Sequence, residues 1–309
     1  MKRIKIIGQV ISLLILVFPS SAHPQASTSE VWEKTLSVDP SRPTFFSFRD
    51  VNGDLVVITH EEPTLKIKVK KEASTTDQRL TSRLLSETKI QINQRDNQID
   101  LEIIYPRLRS FFLPLRDYRR VKVSTVVSLP QGTNLKANLG DGRASLKGKL
   151  REVNVTTVDG SIWLEAVEGL FNLKTVDGRI TIQKGKGQAE IVSVDGDIII
   201  EGEIEPINIK TTDGDIRINL LPGVKITRPW NLKTIDGDIE ISLTPDLSAD
   251  LSLETVGGSI RCDLKLTLSE IRGEKNILGR LNQGGPLISL QSIDGHLWIK
   301  QKLMENTQL

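Results

Sequence analysis

The chain has 309 residues, with 41 lysines and arginines against 39 aspartates and glutamates and a net charge of +2. That balance excludes a polybasic nucleic-acid coat and an acidic solvating tail. A single cysteine, Cys262, excludes an intrachain disulfide and a cysteine-based zinc site. The three histidines, His23, His60 and His296, are poor material for a metal centre or a histidine-based catalytic apparatus, and aromatics at 4% are low for a carbohydrate-binding cleft.

The chain opens with Lys2, Arg3 and Lys5, an apolar run from Ile6 to Phe18, a break at Pro19, and then Ser20-Ser21-Ala22. A positive start, a short apolar stretch and small residues at −3 and −1 describe a secretory signal cleaved after Ala22. The apolar run is shorter than the ~20 residues that span a bilayer. With no cysteine near the cleavage site, a lipid anchor is not expected. The expectation is residues 1–22 as signal peptide and an exported mature chain, periplasmic, surface-bound or secreted, whose lone thiol suits an oxidising compartment.

Residues 23–130 are expected to form an N-terminal β-rich cap carrying one short helix. Phe46, Phe48, Asn52-Gly53, Leu55 and Val57 read as a distant copy of the repeat described below. Leu65, Ile67 and Val69 alternate as a strand. Thr75 and Gln78 form a capping box opening a helix with Leu80, Leu84 and Leu85 on one side. Residues 88–104 form a hairpin turning at Arg95-Asp96-Asn97, and Tyr118 to Leu129 is a further strand. Between these lies the densest cationic run outside the signal: Arg107, Arg109, Arg116, Arg119, Arg120 and Lys122 against Asp117, interleaved with Tyr105, Phe111, Phe112 and Tyr118. For an exported chain this composition suits anionic lipid or acidic polysaccharide rather than nucleic acid. The competing reading is a loop folding its phenylalanines over the open end of the repeat stack.

Residues 131–309 are organised by an internal repeat centred on Gly160, Gly178, Gly196, Gly214, Gly237, Gly258 and Gly295, whose first three intervals are 18 residues. Two and four residues after each glycine stand Ile162 and Leu164, Ile180 and Ile182, Ile198 and Ile200, and their equivalents. Five and seven residues before stand Val155 and Val153, Leu173 and Phe171, Ile191 and Ala189. Three residues before there is always a hydroxyl: Thr157, Thr175, Ser193, Thr211, Thr234, Thr255 and Ser292. Apolar residues spaced by two mean strands with one buried face. A strict short period means that no copy buries that face alone, so the copies stack rather than form separate hairpins. The fold class expected is all-β, a parallel β-solenoid of about 18-residue coils. Gly142 marks a weaker first coil, and the long interval before Gly295 requires an inserted hairpin within 263–283.

Within this frame an aspartate precedes nearly every glycine, as Asp159, Asp177, Asp195, Asp213, Asp236 and Asp294, and a second follows at Asp197, Asp215 and Asp238. Like charges stacked one coil apart repel by about 1 kcal/mol per pair in water. Turn-bound carboxylates accepting a backbone N–H two residues on would offset this, as would Ca²⁺ bridging the coils. The hydroxyls share the parity of the buried residues and are expected to pair inside the stack. Trp230 falls on an inward position; Trp163 and Trp298 fall outward as the exposed aromatic platforms.

The corners Thr157-Val158-Asp159-Gly160-Ser161-Ile162, Thr175-Val176-Asp177-Gly178-Arg179-Ile180 and Thr234-Ile235-Asp236-Gly237-Asp238-Ile239 resemble the bacterial putative-adhesin family of exported β-strand-repeat proteins, a domain of unknown function. Gly284-Gly285-Pro286-Leu287-Ile288 leading into Ser292-Ile293-Asp294-Gly295, and Asn52-Gly53-Asp54-Leu55-Val56-Val57, are similar to the same family over roughly 45–300. The resemblance implies the repeat fold and no catalytic, cofactor or metal residues. The expected function is a non-catalytic envelope-binding or structural module with an unidentified envelope or surface ligand. The alternative is a β-helical polysaccharide-acting enzyme, which would need paired carboxylates in a cleft.

Overall fold

The computed structural model describes residues 26–75, 77–106, 121–271 and 275–302. Residues 1–22, the expected signal peptide, lie outside these, as do Arg107, Arg109, Phe111, Phe112, Arg116, Arg119 and Arg120. In chain order the elements are β1 (Ala26–Ser37), β2 (Phe45–His60), β3 (Thr64–Thr75), α1 (Gln78–Glu87), β4 (Lys89–Arg95), β5 (Gln98–Ile104) and β6 (Val121–Pro130). Then come β7 (Asn134–Asp141), β8 (Ala144–Thr156), β9 (Ile162–Lys174), β10 (Ile180–Val192), β11 (Ile198–Lys210), β12 (Ile216–Leu220), β13 (Trp230–Lys233) and β14 (Ile239–Leu243). The chain continues with β15 (Ala249–Thr255), β16 (Ile260–Cys262), β17 (Leu268–Ile271), β18 (Asn276–Leu281), β19 (Leu287–Ser292) and β20 (Leu297–Gln301).

The two arms beside an Asp-Gly corner pair not with each other but with the same arms of neighbouring coils. Ile162, Ile180 and Ile198 lie in parallel register on one side of the corner, and Leu173 and Ile191 on the other. Each of β8 to β11 is the back arm of one coil, a second corner, and the front arm of the next. The result is a long, largely parallel, β-solenoid-like stack. The inward residues of the two arms meet in a ladder of Ile, Leu and Val: Ile180, Ile198, Ile216 and Ile239 are fully buried, as are Leu173, Ile209 and Leu232. β-Branched residues suit a pleated, buried face, and each such side chain contributes about 1.5–3 kcal/mol by leaving water. Trp230 lies in this core, as its inward position requires.

Spatial order departs from chain order at both ends. β19 lies between β13 and β15, and β20 between β14 and β16. The Gly295 coil is therefore inserted before the Gly258 coil. The cause is the inserted hairpin: β17 and β18 pair antiparallel, β18 covers the outer edge of β15, and the chain then re-enters the stack on the other side of β15. At the other end β2 is a full coil in register with β7 and β8 (Phe46 with Leu135, Leu55 with Ala144) while β5 and β6 flank its other side. β6 is followed outward by β3 and then β1, both antiparallel, and β5 by β4. The β4–β5 turn is the pair Asp96-Asn97, with Arg95 still in the strand.

Helix α1 seats Leu84 and Leu85 in the core at this end. Its N-cap is Asp77, whose carboxylate accepts from the Arg79 N–H, and not Thr75. The Thr75 hydroxyl is drawn inward instead, bonding the Asp77 carbonyl and the Thr81 hydroxyl, because Thr75 is buried at the end of a strand. The Lys71 ammonium closes the other end of α1 by donating to the Leu85 and Thr88 carbonyls while pairing with Glu30. Among the described residues no helix is long and apolar enough to cross a membrane.

Candidate functional site: the outer groove of the Asp-Gly corner

The corner has an inner and an outer side. On the inner side the glycines form their own column. A Cβ built on Gly214 would lie 2.6 Å from the Gly196 carbonyl oxygen, and Gly178, Gly196 and Gly237 meet the preceding glycine in the same way. The repeat keeps glycine because backbone stacks on backbone there and because φ is positive, +131° at Gly214.

The hydroxyls beside this column are buried, as their parity requires. They bond carbonyls rather than one another: Thr157 to Gly140 (3.0 Å), Ser292 to Gly237 (3.1 Å) and Thr255 to Gly295 (2.8 Å) across coils, Thr211 and Thr234 locally to Asp213 and Asp236. The Ser193 hydroxyl has no partner. In the β2 coil the hydroxyl position is taken by Asp50, which is buried. Its Oδ1 accepts from the Tyr105 hydroxyl (2.8 Å) and the Asn52 N–H (2.9 Å), and its Oδ2 accepts nothing from the described residues. Burial pushes the Asp50 carboxyl up to about 6 against these bonds, and burial beside Asp50 raises the Tyr105 phenol as well.

On the outer side the aspartates before the glycines lie in column from Asp141 to Asp294. The carboxylates of Asp159, Asp177, Asp195, Asp213, Asp236 and Asp294 face outward and accept no hydrogen bond from the described residues, so the expected turn bond is not made there. It is the residue after the glycine that is held, and by the next coil: Asp197 accepts from the Asp215 N–H (3.3 Å), Asp215 from Asp238 (3.0 Å), Asp238 from His296 (2.7 Å) and Asp54 from Arg143 (2.9 Å). Parallel register points each N–H at the carboxylate of the coil before it. The Gly258 coil has Gly257 in place of the aspartate, with the Asp294 carboxylate of the neighbouring coil lying against it. Among the described residues no group of three His, Cys, Asp or Glu is placed to hold a metal ion. Two residues before the glycines runs an exposed apolar ridge that includes Val158, Val176, Val194, Ile235 and Val256.

Trp163 and Trp298 stand in one outward column, three residues after their glycines and several coils apart. Trp298 is closed. The Lys300 ammonium lies 3.7 Å and the Arg261 guanidinium 4.9 Å from its ring centroid, and its Nε1 donates to Asp263 (3.2 Å). The hydrogen bonds from Arg261 and then from Trp298 hold the Asp263 carboxyl below its usual range. Trp163 is open: it is 38% exposed, and its column neighbours are the small residues Ser145 and Thr181. It borders a groove of about 440 Å³ with Arg143, Ser161, Asp177, Arg179 and Asp197. A second stretch of about 580 Å³ continues past Arg143 and Ser161 to Asp54 and Lys122, which form an ion pair at 3.2 Å.

Of the residues singled out in the sequence, the structure thus separates the two outward tryptophans and opens only one. The basic-aromatic segment lies outside the described residues except for Tyr105, Pro106, Val121 and Lys122. Asp50 was readable, with Leu139 of the Gly142 coil, as a departure from the hydroxyl rule, and as the one that puts a carboxyl there, once residues 45–60 are aligned with the rest. The pairing of Arg143 with Trp163 in one groove carried no sequence signal, because the two belong to different coils.

The family model described as Toastrack DUF4097 matches residues 47–300. No curated protein matches the chain. Among solved structures it is similar to a putative adhesin from Bacteroides fragilis (10% identity, 88% of this chain and 97% of that one, TM-score 0.38). It is also similar to a putative lipid binding protein from Parabacteroides distasonis (14%, 90% and 98%, TM-score 0.38) and a putative cell adhesion protein from Clostridium sporogenes (16%, 88% and 100%, TM-score 0.28).

Proposed function

The chain belongs to the Toastrack DUF4097 family, and we propose on that premise that it is an exported, non-catalytic binding module of the cell envelope. The observation that carries this reading is the division of labour at the corner. The inner side repeats one set of residues and builds a scaffold, while on the outer side, beside the repeated aspartate column and apolar ridge, the residue after the glycine changes from coil to coil and makes the surface copy-specific. A site distributed over several coils suits an extended ligand better than a reaction at a single bond. Export after Ala22 and an envelope location belong to the same proposal.

The competing reading, a polysaccharide-acting enzyme, needs two carboxyl groups facing each other across a glycosidic bond. In the groove Asp197 is committed to Arg179 (2.9 Å) and to the Asp215 N–H. The test is capture of the mature chain on envelope fractions, immobilised glycans and vesicles, with product analysis of any polysaccharide it retains. Retention without cleavage supports the module. Release of shortened chains moves the reading to the enzyme.

A further inference from the structure

We propose that the outer groove across the Gly142, Gly160 and Gly178 coils binds a neutral oligosaccharide, with one pyranose ring stacked on Trp163. This names a ligand class for the module reading and rests on it.

The first observation is the contrast between two tryptophans in one column. An indole at this outward position is covered when its neighbours supply cations, as at Trp298. Beside Trp163 the in-register residues are Ser145 and Thr181, and two residues on stands Glu165, which turns to Lys147 (3.5 Å). Among the described residues no cation lies over this ring and the side chain is 38% exposed, and the apolar face of a sugar ring fits an indole whose edge remains in water. Few aromatics are present in the chain, but the site needs only one.

The second observation is unclaimed hydrogen-bonding capacity around that ring. The Arg143 guanidinium, the Ser161 hydroxyl and the Asp177 carboxylate line the groove, and none of the three side chains makes a hydrogen bond or ion pair with another described residue. Together they offer donors, an acceptor and a group that is both. Sugar hydroxyls, which donate and accept at once, are the matching chemistry.

The third observation is charge. Arg143 and Arg179 are balanced by Asp177 and Asp197, and the aspartate column runs along the groove's margin. A polyanion or an anionic headgroup would meet those carboxylates; a neutral chain does not. Length agrees with an oligomer. The two contiguous stretches reach from the Gly53 coil to the Gly196 coil, four interstrand steps or about 19 Å, several times a pyranose ring.

The experiment is titration of the mature protein with soluble four- to six-ring oligomers of glucose, N-acetylglucosamine and mannose, followed by tryptophan fluorescence and calorimetry. Uronic-acid oligomers and anionic phosphatidylglycerol vesicles are the comparison probes. Expected is saturable binding of at least one neutral oligomer, insensitive to salt, weakened tenfold or more by Trp163→Ala and by Arg143→Ala, partly kept by Trp163→Phe, and unchanged by Trp298→Ala and by Arg116, Arg119 and Arg120→Ser together. Melting temperatures equal to the parent's keep the losses from being folding defects. Binding confined to uronate oligomers or vesicles, or neutral binding that survives Trp163→Ala, overturns the proposal while leaving a binding module. Absence of binding to any glycan, vesicle or envelope fraction overturns both.

Discussion

On the inner side of the corner, the Gly160, Gly178, Gly196, Gly214, Gly237 and Gly295 coils supply the same parts: a glycine with no room for a side chain, a buried hydroxyl three residues earlier, and Ile or Leu two and four residues later. On the outer side the residue after the glycine reads Asp54, Arg143, Ser161, Arg179, Asp197, Asp215, Asp238, His296 and Ser259 along the stack, with no rule of sign or size. The inner side must satisfy two neighbours at once, so one departure is felt in two coils. The outer side faces water and is free to differ. A repeat protein of this kind carries its individuality where packing makes no demand.

The largest break of that contrast is Gly214→Ala. The added methyl meets the Gly196 carbonyl at 2.6 Å with φ at +131°, so a loss above about 4 kcal/mol, at the edge of what single substitutions do, is expected in denaturant unfolding. Gly132→Ala, with positive φ but open space around it, should cost only about 1–2 kcal/mol of backbone strain. Equal losses at the two positions would remove close backbone stacking as the reason for the glycine column.

Asp50 should give the opposite sign. Its carboxyl, raised to about 6 in the fold against an ordinary value near 3.8, binds its proton more tightly folded than unfolded. Stability from this group is therefore fully present below pH 4 and lost as pH rises through 6, about 3 kcal/mol in all. Asp50→Asn should raise the melting temperature at pH 7 and flatten its dependence between pH 4 and 6. A parallel pH profile for variant and parent would mean that Asp50 titrates normally.

The hydroxyls should grade with their bonds. Thr255→Val removes a 2.8 Å bond to Gly295 and is expected to cost about 1–3 kcal/mol; Ser193→Ala removes a hydroxyl without a partner and should be near neutral. A reversal of this order in thermal melts would contradict the bonding described. The smallest stability effects belong to the outer side. Glu165→Lys places an ammonium beside Trp163 as Lys300 stands beside Trp298; melting should shift by less than the equivalent of about 1 kcal/mol, while acrylamide quenching of Trp163 falls. Lys300→Ala should do the reverse at Trp298.

The sequence made the inner side legible because packing is periodic: alternating Ile and Leu, the hydroxyl and the glycine could be aligned by eye, down to the β2 copy at Phe46 to Val57. The helix, the Asp96-Asn97 hairpin and the inserted β17–β18 pair were readable from local rules. Two things were not. Insertion of the Gly295 coil ahead of the Gly258 coil is a long-range choice that no local pattern encodes, although Gly257, the copy without its aspartate, marks the terminal coil. The groove was hidden because Arg143, Ser161 and Arg179 are one another's neighbours only across coils.

That insertion also sets a schedule. A chain made from its N-terminus completes β15 and β16 before β19 and β20 exist, yet the place of β19 and β20 is between those strands and β13 and β14. Until residues 287–301 arrive, β13 and β14 present open edges, the form in which strands recruit strangers. The coil made after β15 and β16 is thus a keystone rather than an added tip, and the stack closes from within.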